Sequence, residues 1–105
     1  MKKIYNKLVR DKIPEIIERD GKKCVTEVLS QEQYIAALDS KLDEELAEYH
    51  SEPCVEELAD LMEVIYAVAA ARGFGVEKLE QVRVAKAERR GGFEKRLLLK
   101  EVCEE

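Results

Sequence analysis

Residues 43–65 read DEELAEYHSEPCVEELADLMEVI, and the spacing of their apolar residues decides the fold. On a helix, neighbouring residues advance by about 100°. At that angle Ile35, Leu38, Leu42, Leu46 and Tyr49 form one stripe, reaching upstream of the segment. Leu58, Leu61, Val64, Ile65 and Val68 form a second. Between the two lies Glu52-Pro53, which breaks the chain and places Pro53 at the start of the following helix. The reading is two long helices, joined by a tight turn, that pack antiparallel through their stripes.

Working outward, Ser30 and Gln33 form a capping box that opens the first long helix, which runs to about Tyr49. The second continues to Arg72 and is stopped by Gly73 and Gly75. A third, roughly Val76 to Arg90, ends at Gly91-Gly92. Near the start, Pro14 fits the first turn of a short helix reaching about Asp20, with Asp11 as its cap. The segments KCVTEVL (23–29) and FEKRLLLKEV (93–102) carry the alternation and β-branching of short strands. The expected architecture is therefore mainly α: a single domain over residues 1–105, a helical bundle with a small β element.

Charge narrows the function. The chain has 18 Lys and Arg against 23 Asp and Glu, a net charge of -5. That balance argues against general nucleic-acid binding, which needs a basic surface to neutralise phosphates. The basic residues nevertheless gather in the first dozen positions and between Arg83 and Lys100, leaving an acidic middle. Three cysteines, Cys24, Cys54 and Cys103, show no metal-like spacing, and their odd number with no signal peptide points to a reducing, cytoplasmic setting. No apolar run approaches the roughly 20 residues needed to span a bilayer, so no membrane partner is expected.

The helical phase also places the acids. Glu45 borders the first stripe, Glu48 lies one step further round and Glu44 points more towards water. Glu57 falls inside the second apolar arc, between the directions of Val64 and Val68, and Asp60 flanks it. An acid inside such an arc is costly unless paired, protonated or bound to a cation. An antiparallel helix pair brings the sets Glu45/Glu48 and Glu57/Asp60 face to face, where four carboxylates would repel. Hard cations such as Mg²⁺ take oxygen ligands of this kind. The plain alternative for each acid taken singly is a solvated helix face with local pairs, such as Lys41 with Glu45.

Glu44-Glu45-x-x-Glu48 followed by Glu57-x-x-Asp60 resembles the EExxE…ExxD signature of the MazG-like all-α nucleoside triphosphate pyrophosphohydrolases. The opening Tyr5-Asn6-Lys7-Leu8-Val9-Arg10-Asp11-Lys12-Ile13-Pro14 is similar to the start of a small subgroup described as house-cleaning or phosphoribosyl-ATP pyrophosphohydrolase-like. The late Lys86…Arg90-Gly91-Gly92-Phe93 resembles that subgroup's ending, so the likeness covers nearly the whole chain. Only the linker between Glu48 and Glu57 is shorter than in many relatives.

What the resemblance implies is Mg²⁺-dependent hydrolysis, with Mn²⁺ as a substitute, of a nucleoside triphosphate to its monophosphate and pyrophosphate. The metal ligands would be Glu45, Glu48, Glu57 and Asp60. Glu44 or Glu48 would accept the proton from water. Lys7, Arg10 and Lys12, with Lys86, Arg89 and Arg90, would grip the phosphates, and Gly91-Gly92 would offer a backbone nest. A homo-oligomer, dimer or tetramer, is expected, because two long helices bury only one face each in a monomer. Two rival readings are phosphoribosyl-ATP pyrophosphohydrolysis in histidine synthesis and a non-catalytic helical oligomer that binds a cation or nucleotide. No residue pattern reads a base edge.

Overall fold

The computed structural model describes residues 2–104. Four helices follow one another: α1 (Ile13–Arg19), α2 (Gln31–Ser51), α3 (Val55–Ala71) and α4 (Val76–Arg90). The expected capping box opens α2: the Gln33 amide donates to Ser30 Oγ at 3.2 Å, and the Ser30 amide donates to Gln33 Oε1 at 3.0 Å. Two donors that the helix itself cannot satisfy are thus paired locally.

The α2–α3 hairpin is the centre of the molecule. Gln31, at the start of α2, donates from Nε2 to the Ala71 carbonyl at the end of α3, at 2.8 Å. Close by, Arg72 meets Asp39 at 2.9 Å. Joining the start of one helix to the end of the other makes the pair antiparallel, as the stripes require. The residues withdrawn from water are Leu38 and Glu45 on α2, with Val64 and Ala69 on α3. Past α3, the chain turns through Gly73 and Gly75, at φ 82° and 80°, a region that only glycine enters freely. α4 then packs against α3 and makes no contact with α2.

Several expectations need correction. Among the described residues there is no strand; 23–29 and 93–102 are irregular. Val25 and Val28 lie fully exposed and Leu97, Leu98 and Leu99 nearly so. A strand exists only with a partner to fill its hydrogen bonds, and neither segment has one here. Pro53 ends α2 instead of beginning α3: it holds Glu52 at φ -143°, ψ 84°, as proline does to the residue before it. Helix α2 therefore reaches Ser51, and Cys54 takes the cap position of α3. The cap position of α1 is filled by Lys12, not Asp11, and no side chain caps that helix. Leu46, Leu58 and Ile65, read as buried, are exposed.

No helix among the described residues is long and apolar enough to cross a membrane. The three cysteines are free thiols.

Candidate functional site

The capping box fixes where α2 begins, and the antiparallel hairpin then sets Glu44, Glu45 and Glu48 opposite Glu57 and Asp60. Two groups of carboxylates result. Glu44, Glu45 and Glu48 form one and Glu45, Glu57 and Asp60 the other, each with oxygens within 4.8 Å of one another. Glu45 is common to both and is the most buried, at 7 % exposure. Its Oε2 and that of Glu57 are buried without any hydrogen-bond partner. Buried polar atoms are nearly always paired, so two orphaned oxygens in one cluster are unusual.

The opening segment supplies cations to this cluster. Asn6 takes φ 47°, a left-handed conformation that asparagine tolerates better than most residues. Beyond it, Lys7 reaches Glu44 at 3.2 Å and Arg10 reaches Asp60 at 2.7 Å, so the segment lies across both helices. Lys41, one turn before the acids, meets Glu44 at 3.3 Å and Glu45 at 3.6 Å.

Charge is therefore unevenly compensated. Burial pushes the Glu45 carboxyl above its ordinary value, and the neighbouring Glu48 and Asp60 add to this against the opposing Lys41. Burial also raises Glu57, reinforced by Glu48, Asp60 and Glu52. Glu44 goes the other way: burial alone would raise it, but the bonds and charges of Lys7 and Lys41 hold it below the usual range. The cluster thus contains two strained acids and one well-paired one. It is a set of hard oxygen donors with spare negative charge, which can take a divalent cation and, through it or the nearby lysine and arginine, an anionic ligand.

Of the residues expected at the site, Glu44, Glu45, Glu48, Glu57, Asp60, Lys7 and Arg10 come together. Lys12 occupies the cap position of α1, and among the described residues it forms no ion pair with the cluster. Lys86, Arg89 and Arg90 lie towards the C-terminal end of α4, which has no contact with α2. They join none of the ion pairs at the cluster. The Gly91-Gly92 nest is also not formed, because the Gly91 amide closes α4 on the Ala87 carbonyl at 2.8 Å. Two features were missed. Glu52 adds its charge to Glu57 across the turn, a proximity that depends on α2 running past Tyr49 to Ser51, with Glu52 at its cap position. The Asp39–Arg72 clasp joins residues 33 apart and left no local mark.

No protein-family model matches the chain, and no solved structure matches it. The chain is similar to an uncharacterized protein of Mycolicibacterium smegmatis, 58% identical over 41 residues. The matched region is 39% of this chain and 42% of that relative.

Proposed function

We propose that this chain is a Mg²⁺-dependent nucleoside triphosphate pyrophosphohydrolase with a MazG-like helical bundle, working in the cytoplasm on standard or chemically altered nucleotides. One observation carries the reading: Glu45 Oε2 and Glu57 Oε2 are buried and unpartnered in a cluster made only of carboxylates. That donor set fits Mg²⁺ or Mn²⁺, which prefer oxygen, and it lacks the histidine and cysteine that zinc sites favour. Glu45, Glu48, Glu57 and Asp60 would hold the ion. When bound, it would neutralise the triphosphate and lower the pKa of a coordinated water.

The remaining roles fall to this chain's side chains. Glu44 is committed to Lys7 and Lys41, which weakens it as a base. Glu48 is exposed beside the same carboxylates and is the better acceptor for the proton of the attacking water. The water oxygen joins one phosphorus of the α–β bridge, the bridging P–O bond breaks, and pyrophosphate leaves with the monophosphate as the second product. Lys7 and Arg10 already lie at the cluster and would take phosphate oxygens by charge-assisted hydrogen bonds.

The test is release of pyrophosphate from a panel of standard and modified nucleoside triphosphates, with Mg²⁺ and with chelator. Release that needs Mg²⁺ and matches monophosphate formation is expected. Silence across the panel from folded protein, with nucleotide still bound, would replace the enzyme by a binding protein. Turnover of phosphoribosyl-ATP alone would move the substrate to histidine synthesis.

A further inference from the structure

The opening segment is held to the hairpin by charge and by little else. Residues 2–12 form no helix or strand, none of them is buried, and Leu8 alone is half-buried. The short helix that follows, α1, packs on no other helix and buries no residue. Among the described residues, no backbone hydrogen bond joins 2–12 to α2 or α3. Two ion pairs span the gap instead: Lys7 to Glu44 at 3.2 Å and Arg10 to Asp60 at 2.7 Å. Apolar burial, the usual anchor of a chain segment, is almost absent here, so another cation can compete for the same carboxylates.

The two pairs are not equivalent. Glu44 has a second cation in Lys41, at 3.3 Å, whereas Arg10 is the one ion-pair partner of Asp60 among the described residues. Asp60 belongs to the group with Glu45 and Glu57, whose Oε2 atoms are buried without partners. That group is where a divalent cation finds unsatisfied oxygens. Asp60 is its one member held by a positive charge from outside the hairpin. A guanidinium and a dication on one carboxylate repel each other, and the Arg10 pair is open to water, with side chains 58% and 42% exposed. Pairs so exposed are weak and readily exchanged.

We propose that the opening segment is a detachable strap: Arg10 is the internal counter-ion of Asp60 while the cluster holds no divalent cation, and leaves Asp60 when one binds. Its release places a free guanidinium at the edge of the site, where it can take an anionic ligand through forked hydrogen bonds. Binding is thereby ordered, cation before anion. Lys7, paired with an acid outside the Glu45, Glu57 and Asp60 group, keeps the strap close while Arg10 moves. That the cation is Mg²⁺ and the anion a phosphate rests on the pyrophosphohydrolase reading; the exchange at Asp60 does not require turnover.

The experiment uses the full ¹⁵N-labelled chain, stripped of metal and without nucleotide. Mg²⁺ is added to the wild type, Arg10→Ala and Lys12→Ala; calorimetry measures binding, and NMR follows the Arg10 side-chain Nε–H signal. Arg10→Ala is expected to bind Mg²⁺ about two- to fivefold more tightly, as removal of one exposed competing pair predicts. Lys12→Ala removes a neighbouring charge that has no ion pair at the cluster, and should change the affinity much less. In the wild type the Arg10 signal, assigned by its absence from Arg10→Ala, should move towards that of a free guanidinium in step with Mg²⁺ saturation. Unchanged or weaker binding by Arg10→Ala would overturn the proposal, because Arg10 would then position Asp60 for the ion instead of competing with it. Equal tightening in Lys12→Ala, or an Arg10 signal that stays put as Mg²⁺ saturates, would overturn it too. A wild type that binds no Mg²⁺ would remove the cation site and the strap's release together. Exchange in a chain that cleaves no triphosphate would uphold the strap and discard the enzyme reading alone.

Discussion

Glu45 and Glu57 hold more negative charge than their surroundings neutralise, and that imbalance can be measured. A carboxyl raised in the fold destabilises it fully above the folded pKa and not at all below the unfolded value of 4.5. With chelator present, the melting temperature is therefore expected to rise as pH falls from neutral towards about 5. Glu44, held low, gives stability that is lost only below 4.5, so its effect does not mask this window. Calorimetry across that range tests it, and a melting temperature that falls steadily on acidification would show the two acids to be compensated. Adding Mg²⁺ at pH 7 should raise the melting temperature and flatten the profile. Glu57→Gln is expected to lower turnover by a factor of roughly 10² or more, while the fold is kept or strengthened as repulsion from Glu48 and Asp60 disappears; retained activity would remove Glu57 from the site. The place of Glu57 was legible from helical phase alone, since a carboxylate among Val64 and Val68 has few physical explanations. The partner of Arg10 was not. Asp60 lies 50 residues away, and which acid an early arginine meets depends on where the whole opening segment runs.

Among the elements, α2 shows how far local chemistry reaches. Ser30 and Gln33 are three residues apart and satisfy each other's backbone, so the start of the helix could be read from four letters. Ser30→Ala should cost about 1 kcal/mol, seen as a lower denaturation midpoint with unchanged slope; no change would mean that water replaces the cap without loss. The turn at Pro53 was harder, because proline restricts the residue before it as well as its own φ, and here the first effect decides. The expected strands failed for a different reason. Alternation in 23–29 and 93–102 describes a surface that would suit a sheet, but a sheet is a property of two segments. In the same way, Leu46, Leu58 and Ile65 were assigned to a core by helical phase, although the hairpin has only one inner face to offer.

The whole molecule spans 68 × 31 × 22 Å, drawn out because α4 leaves the hairpin after touching α3. Helical phase showed which apolar residues seek cover but not where they would find it, since that depends on how the elements pack. Leu38, Val64 and Ala69 are the only apolar side chains that the described residues bury. So small an interior gives a lone chain little reason to fold, because burial of apolar area is the main term opposing conformational entropy. Refolding should then be a bimolecular event. Doubling the protein concentration should halve the half-time and raise the melting temperature, whereas concentration-independent kinetics would mean that the hairpin is sufficient alone. Should refolding prove bimolecular, dilution would act as a denaturant for this chain, and the amount of it a cell makes would set the fraction that holds a shape.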